Sequence, residues 1–234
     1  MSAYVSAIVV AAGGSVRMGT GDSKQFIPLL GRPAIEYTLK AFQECPLIWE
    51  IVVVCREQDI KRIQQLVQEN RFDKVRALVK GGDSRAQSVR NGIAATNDRA
   101  EYFAIHDGAR PLITTDDIES VCKTAFETGA ATLGTPVTDT IKTVDDSNRI
   151  ENTPPRDRLR AVQTPQVFEK EFYTFALNNA VDSLSQFTDD CALIESMGGE
   201  VAVVEGSKEN IKLTTPIDIL IAESILKQRK QENI

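Results

Sequence analysis

The side chains of this sequence best suited to chemistry are charged residues that stand just beyond short apolar runs: Arg17, Lys24, Asp83, Arg85, Asp107 and Lys212. The first two follow the turn Ala11-Ala12-Gly13-Gly14, which comes directly off the run Val5 to Val10. That run reads as a buried strand. Paired glycines let the backbone turn tightly and bring its N–H groups close to a ligand. A strand ending in such a turn, rimmed by two fixed cations, is suited to hold a polyphosphate. Taken alone, the turn is equally consistent with an ordinary strand-to-loop connection carrying surface basic residues. Two familiar phosphate loops are excluded. Gly14 and Gly19 have P-loop spacing, but Thr20 stands where the lysine must be; Ser15 and Met18 occupy glycine positions of the dinucleotide fingerprint.

Three more polar clusters follow strand-like runs. Gly81-Gly82-Asp83-Ser84-Arg85-Ala86-Gln87-Ser88 leads from a strand into a helix N-terminus that Asp83 or Ser84 would cap. Asp83, Arg85 and Ser88 could there read a base or ribose, although capping alone also accounts for the pattern. His106-Asp107-Gly108-Ala109-Arg110-Pro111 offers a carboxylate at a strand end. That suits a Mg²⁺–phosphate complex, since Mg²⁺ keeps its waters and takes one or two carboxylates. The alternative is a local Asp107–Arg110 ion pair. His106, the chain's single histidine, reads as a packed residue rather than a general base. In the last cluster, Gly206 to Thr214, Lys208 reads as solvated surface. The alternation of Ile211, Lys212 and Leu213 turns Lys212 inward or toward a cleft.

These groups need a frame to converge. The runs Glu50–Cys55, Val75–Lys80, Tyr102–His106, Ala131–Val137 and Val201–Glu205 are short and apolar, as strands are. Helical patterns cover Ala34–Gln43, Glu57–Asn70, Ser84–Ala95 and Thr115–Thr128, the last stopped by Gly129. Thr188 reads as the cap of a helix over Asp189–Met197, and Thr215-Pro216 opens a final helix. Strands alternating with helices predict an α/β fold with a mostly parallel sheet covered on both faces. Ligands then gather beyond the C-terminal strand ends. The segment 137–163 departs from the alternation: β-like pieces Thr140–Val144 and Arg149–Thr153 flank Asp145-Asp146-Ser147-Asn148, and Pro154-Pro155 precedes the basic stretch Arg156 to Arg160. It reads as a β-hairpin arm on a single domain spanning 1–234. An isolated hairpin is marginal in water, so the arm is expected to pack on something, such as a second copy of the chain.

Composition narrows the setting. At 234 residues the chain buries about three-quarters of its unfolded surface and needs no metal or disulfide staple. With 27 Lys+Arg against 33 Asp+Glu, it carries no general footprint for nucleic acid or a membrane surface. The dispersed Cys45, Cys55, Cys122 and Cys191 read as reduced thiols of a cytoplasmic protein, and one histidine argues against zinc. No signal peptide or membrane-spanning run is expected.

The ordered set A-A-G-x-x-x-R-M…K-Q-F, G-G-D-S-R-x-x-S, H-D-G-A-R-P, T-D-T-I-K, Q-T-P-Q-x-F, T-D-D and N-I-K-L-T-T-P resembles the 2-C-methyl-D-erythritol 4-phosphate cytidylyltransferases of the non-mevalonate isoprenoid pathway, from about Ala7 to Glu223. The resemblance implies a Rossmann-like nucleotidyltransferase fold with a β-arm interlocking a homodimer. It implies CTP as nucleotide substrate, a sugar-alcohol phosphate as acceptor and Mg²⁺ bound mainly through the CTP phosphates. By the matched motifs, Arg17 and Lys24 would stabilise the triphosphate and its transition state. Ala11, Ala12, Gly13 and Gly14 would line the nucleotide, with Gly108 beside it. Gly82, Asp83, Arg85 and Ser88 would recognise cytosine and ribose, and Asp107 would lie beside the phosphates and the metal. Thr138, Asp139, Thr140 and Arg156, on the arm, would reach the acceptor in the partner's site, with Arg110 also contacting it and Lys212 helping to orient it. Lys24, Arg17, Lys212 and Arg156 would then be the catalytic cations.

Physical reasoning agrees. A phosphate monoester with a second pKa near ~6 is largely dianionic at neutral pH, so its attack on an α-phosphorus requires no general base. Positioning and charge stabilisation carry such a reaction. Two rivals share the nucleotide half: a ribitol 5-phosphate cytidylyltransferase, and a module that binds CTP without turning it over.

Overall fold

The computed structural model describes residues 3–13, 23–180 and 187–232. Its centre is a seven-stranded sheet. Strand β1 (Val5–Ala11) is an inner strand, parallel to both its neighbours. Val5, Ala7, Ile8 and Val9 are all fully buried, as is Ser6, whose hydroxyl donates to the Glu50 carboxylate. This explains a run that is otherwise apolar: a strand covered on both faces has no solvent side to mark with polar residues. A short ribbon, β2 (Pro28–Leu29) with β3 (Arg32–Pro33), leads into α1 (Ala34–Glu44). Then come β4 (Ile48–Cys55), α2 (Ile60–Asn70), β5 (Val75–Lys80), α3 (Arg85–Ile93), β6 (Tyr102–Asp107), α4 (Thr115–Thr128) and β7 (Ala130–Pro136). Successive residues of β1 face opposite sides, and the two cores follow that alternation. Val5, Ala7 and Val9 pack with Ile35, Leu39, Ile63 and Val121; Ile8 packs with Val89, Phe103 and Tyr173.

The arm is a separate two-stranded ribbon, β8 (Thr143–Val144) with β9 (Ile150–Asn152), whose residues are exposed. It pairs over less chain than expected, since residues 140–142 and Thr153 lie outside the ladder, and Asp145 draws the tip into a compact turn. Asp145 Oδ1 accepts from the N–H groups of Ser147 and Arg149, and Asn148 takes the left-handed conformation with φ 60°. The last residues of the segment read as arm are already sheet. Strand β10 (Arg160–Glu169) starts at Arg160, pairs antiparallel with β7 and then with β6, and so sits between them. Neither β10 nor α5 (Lys170–Asn179) is marked by the sequence pattern. Pro165 and the polar residues around it obscure the strand, and the register shift between Val162 and Gln166 accommodates them.

α6 (Asp190–Ser196) and β11 (Ala202–Glu205) follow, and α7 (Pro216–Glu232) closes the described chain. The complete sheet order is β11-β7-β10-β6-β1-β4-β5, parallel except at β10. Two helix starts differ from expectation. Asp189, not Thr188, caps α6, its side chain accepting from Ala192 N–H at 2.9 Å. Glu57–Asp59 forms a 3₁₀ turn before α2. Ser84 and Thr114 cap α3 and α4, and Gly129 stops α4 with φ 80°.

Candidate active site

A cleft of about 350 Å³ opens at the C-terminal ends of β1, β5 and β6. The reversal of strand order beside β1 splays the following loops apart there. The β1 loop supplies Ala11, Ala12 and Gly13; the β5 loop supplies Gly82, Asp83, Arg85 and Ser88. β6 supplies Asp107 at its end, while Lys24 and Lys212 arrive from connections outside the sheet. Residues from both ends of the chain thus share one wall. Gly81 permits the close approach of two of these loops, since a Cβ there would collide with that of Ala12. Ser88 Oγ donates to the Ser84 carbonyl at 2.9 Å and accepts from Gly82 N–H at 3.1 Å, so it shapes the loop as well as lining the cleft.

The charges are arranged as alternating pairs. Asp107 Oδ1 meets Arg85 Nε at 3.2 Å and Oδ2 meets Lys212 Nζ at 2.6 Å. Burial alone would raise the Asp107 carboxyl, but Arg85 and Lys212 outweigh it and hold the group below the usual carboxylate range. Burial likewise opposes the Arg85 charge, and the Asp190 and Asp107 carboxylates more than reverse that effect. Asp107 is therefore an ionised carboxylate facing the cleft. The local Asp107–Arg110 pair gives way to this arrangement, and Arg110 instead donates from Nη1 to the Asn210 carbonyl at 2.6 Å. Among the described residues no group of three or more His, Cys, Asp or Glu side chains is placed to hold a metal. A lone carboxylate fits a Mg²⁺ ion carried chiefly by substrate phosphates, not one caged by protein.

His106 is fully buried and stacks at a tilt on Phe42. Desolvation pushes it down to about 4, so it is neutral. The hydrogen-bond network assigns its proton: Nε2 lies 3.2 Å from the Arg110 carbonyl, which only accepts, so Nε2 carries hydrogen. Nδ1 then accepts from the Thr164 hydroxyl at 3.1 Å, and Thr164 Oγ1 accepts from Asp107 N–H at 3.1 Å. The histidine is a packed spacer that fixes the loop carrying Asp107.

The remaining expected residues separate into groups. Gly108 is held beneath the cleft, its N–H bonded to Val10 O at 2.9 Å. Arg110, Thr138 and Asp139 line a second cleft of about 410 Å³ at the root of the arm, next to Gln163, Lys208 and Asn210. The Arg110 Nε is buried there without a protein partner. Thr140 is exposed on the arm, and Arg156 is exposed with Nη1 on the Thr138 carbonyl at 2.9 Å. Gly14 and Arg17 lie outside the described residues. Sequence reasoning assigned no role to Gln25, which lines the cleft and donates to Ala11 O at 2.6 Å, nor to Thr164 and Asp190. All three stand inside quoted motifs, K-Q-F, Q-T-P-Q and T-D-D, which was the available signal.

The family model of 2-C-methyl-D-erythritol 4-phosphate cytidylyltransferase matches residues 5–228. The protein of that name from Caldanaerobacter subterraneus subsp. tengcongensis is 44% identical over 225 residues, covering 96% of this chain and 99% of the relative. Its counterpart from Desulforamulus reducens is 42% identical over 226 residues, covering 96% and 97%. The crystal structure of 4-diphosphocytidyl-2C-methyl-D-erythritol synthase from Anaerococcus prevotii superposes with a TM-score of 0.87 at 31% identity, over 97% of each chain. That of 2-C-methyl-D-erythritol 4-phosphate cytidylyltransferase from Thermus thermophilus gives 0.74 at 27% identity, over 97% of this chain and 100% of the other.

Proposed function

Since this chain belongs to the 2-C-methyl-D-erythritol 4-phosphate cytidylyltransferase family, we infer that it transfers the cytidylyl group of CTP to 2-C-methyl-D-erythritol 4-phosphate, releasing pyrophosphate. One observation carries the reading beyond kinship: Lys24, Arg85, Asp107 and Lys212 share a single cleft with the backbone of Ala11, Ala12 and Gly13. That is the wall a triphosphate needs.

In the reaction the acceptor's phosphate oxygen bonds to the α-phosphorus of CTP as the bond to pyrophosphate breaks. The acceptor arrives as a dianion, so no residue has to remove a proton. What the chain supplies is approach and charge. Lys24 and Lys212 offset the phosphate charge, together with Arg17 on the grounds of its motif. Gly14 joins the nucleotide-lining loop on the same grounds. Gly82, Asp83, Arg85, Ser88 and Gly108 form the cytidine side. A Mg²⁺ ion, when bound, would be held by Asp107 and the CTP phosphates and would neutralise developing charge.

The acceptor is assigned to the second cleft, whose lining includes the Arg110 side chain. Thr138, Asp139, Thr140 and Arg156 are assigned to the acceptor of the partner protomer. Dimerisation through the arm is supported by its exposed Ile141, Val144 and Ile150, which a second copy would cover. Four buried free thiols suit a cytoplasmic setting, and no helix among the described residues is long and apolar enough to cross a membrane.

Pyrophosphate release with CTP, Mg²⁺ and 2-C-methyl-D-erythritol 4-phosphate tests the function, run beside ribitol 5-phosphate and the other nucleoside triphosphates. Release with that pair alone is expected. Release with ribitol 5-phosphate alone, or tight CTP binding with no release from any pair, would overturn it.

A further inference from the structure

Behind the cleft the alternation of charges continues into the protein. Arg85, whose Nε meets Asp107, turns its Nη1 onto Asp190 Oδ2 at 2.7 Å. Asp190 opens α6, is 4% exposed and does not line the cleft. It is fixed from several sides. The Tyr173 hydroxyl of α5, fully buried, donates to Oδ1 at 2.6 Å. The Asp190 N–H donates to Gln166 Oε1 at 3.1 Å, and Gln166 Nε2 in turn donates to Asp189, the cap of the same helix. Lys212 ends the series at Asp107 Oδ2. Two carboxylates and two cations therefore alternate from core to cleft, and the end in the core is buried and hydrogen-bonded from several sides.

A guanidinium presents its donors in one rigid plane, so two carboxylates on different N–H groups fix its orientation as one cannot. With Asp190 neutral, Arg85 would keep only Asp107 and pull that carboxylate toward itself. The Lys212 ammonium would then lose its anchor at the place where phosphate is expected. We propose that Asp190 is a positioning residue for cytidylyl transfer: it sets Arg85, and through Arg85 the Asp107–Lys212 pair, with Tyr173 holding Asp190 in place. The proposal rests on the function inferred above.

Asp190→Asn keeps the shape and still accepts from Tyr173, but removes the charge. We would measure turnover, calorimetric CTP affinity and thermal melting for the wild type, Asp190→Asn, Arg85→Gln and the double variant. Asp190→Asn is expected to raise the CTP dissociation constant and lower kcat/KM about tenfold, and to add nothing in the Arg85→Gln background, as coupled residues do. A purely structural role would lower the active fraction and leave CTP affinity unchanged. Wild-type affinity and turnover in Asp190→Asn, or losses that multiply in the double variant, would overturn the proposal. If Asp190→Asn does not fold, Tyr173→Phe decides: CTP binding about threefold weaker with a native melt supports the role, and unchanged binding and turnover rejects it. A wild type that turns over no acceptor would defeat the functional reading instead, and the affinity cycle would still read the positioning role.

Discussion

Lys212 Nζ and Asp107 Oδ2 meet at 2.6 Å although 105 residues of chain separate them. The lysine side chain is 44% exposed and the aspartate 13%, so the cation is the more open of the two groups at the cleft that both line. An incoming phosphate thus meets a charge already aimed.

Lys212→Ala is accordingly expected to lower kcat by roughly 10²–10³, the scale of losing one preorganised charge donor. The half-exposed side chain contributes little packing, so the melting temperature should stay within a few degrees. Steady-state pyrophosphate release and a thermal melt check both parts. Undiminished turnover would remove Lys212 from the machinery.

Asp107 makes a pH-dependent contribution to stability. Its carboxyl is held below the unfolded value of about 3.9, so its stabilisation is complete above that pH and is lost as pH falls through the folded value. Asp107→Asn should therefore melt lower than wild type at pH 7, with the gap beginning to narrow as pH falls below about 4. Melts taken in steps from pH 7 to pH 3 test this. A gap that is constant in pH would mean that the charge is not what stabilises.

His106 acts over a different range. The unfolded chain takes up a proton near 6.5, whereas the buried imidazole resists until about 4. Between those values protons favour the unfolded state, and the shift corresponds to about 3 kcal/mol lost on acidification. His106→Gln should flatten this stretch of the stability curve in denaturant titrations. The acid limb of kcat/KM should lie near pH ~6, where the acceptor monoester loses its second proton, in the variant as in the wild type.

The arm reading leads to a mixing experiment. Lys24→Ala and Arg156→Ala are each expected to lose most activity while folding normally. If Arg156 serves the partner's cleft, subunit exchange between the two variants rebuilds one intact site per mixed dimer and restores about a quarter of wild-type activity. Recovery absent in a mixture shown by mass to contain mixed dimers would place Arg156 in its own protomer's site.

Most of the frame is legible in the chain because its inner parallel strands are buried on both faces and several of its helices carry explicit caps or stops. Val5 to Val10 and Gly129 are examples. The segment from Arg160 to Asn179 was not, for a physical reason. β10 is antiparallel and half-polar, with Pro165 in its middle, so neither alternation nor an apolar run marks it. The cleft-lining residues were legible where a glycine turn or strand end announced them, as at Gly82 and Asp107. Asp190 was not, since a carboxylate at the start of a helix reads as a capping group. Only the tertiary fold brings Tyr173 and Arg85 onto it.

β10 also sets which stretches of this chain tolerate added residues. Its first half runs from the arm's root at Arg160 to Thr164, whose oxygen holds the Asp107 backbone. One residue inserted between them would turn every later side chain of the strand to the opposite face and withdraw that oxygen. The tip at Asp145–Asn148 is under no such restriction, because its strands end within a few residues and face solvent. A peptide tag or a fused domain therefore belongs at the tip, and at no point between Arg160 and Thr164.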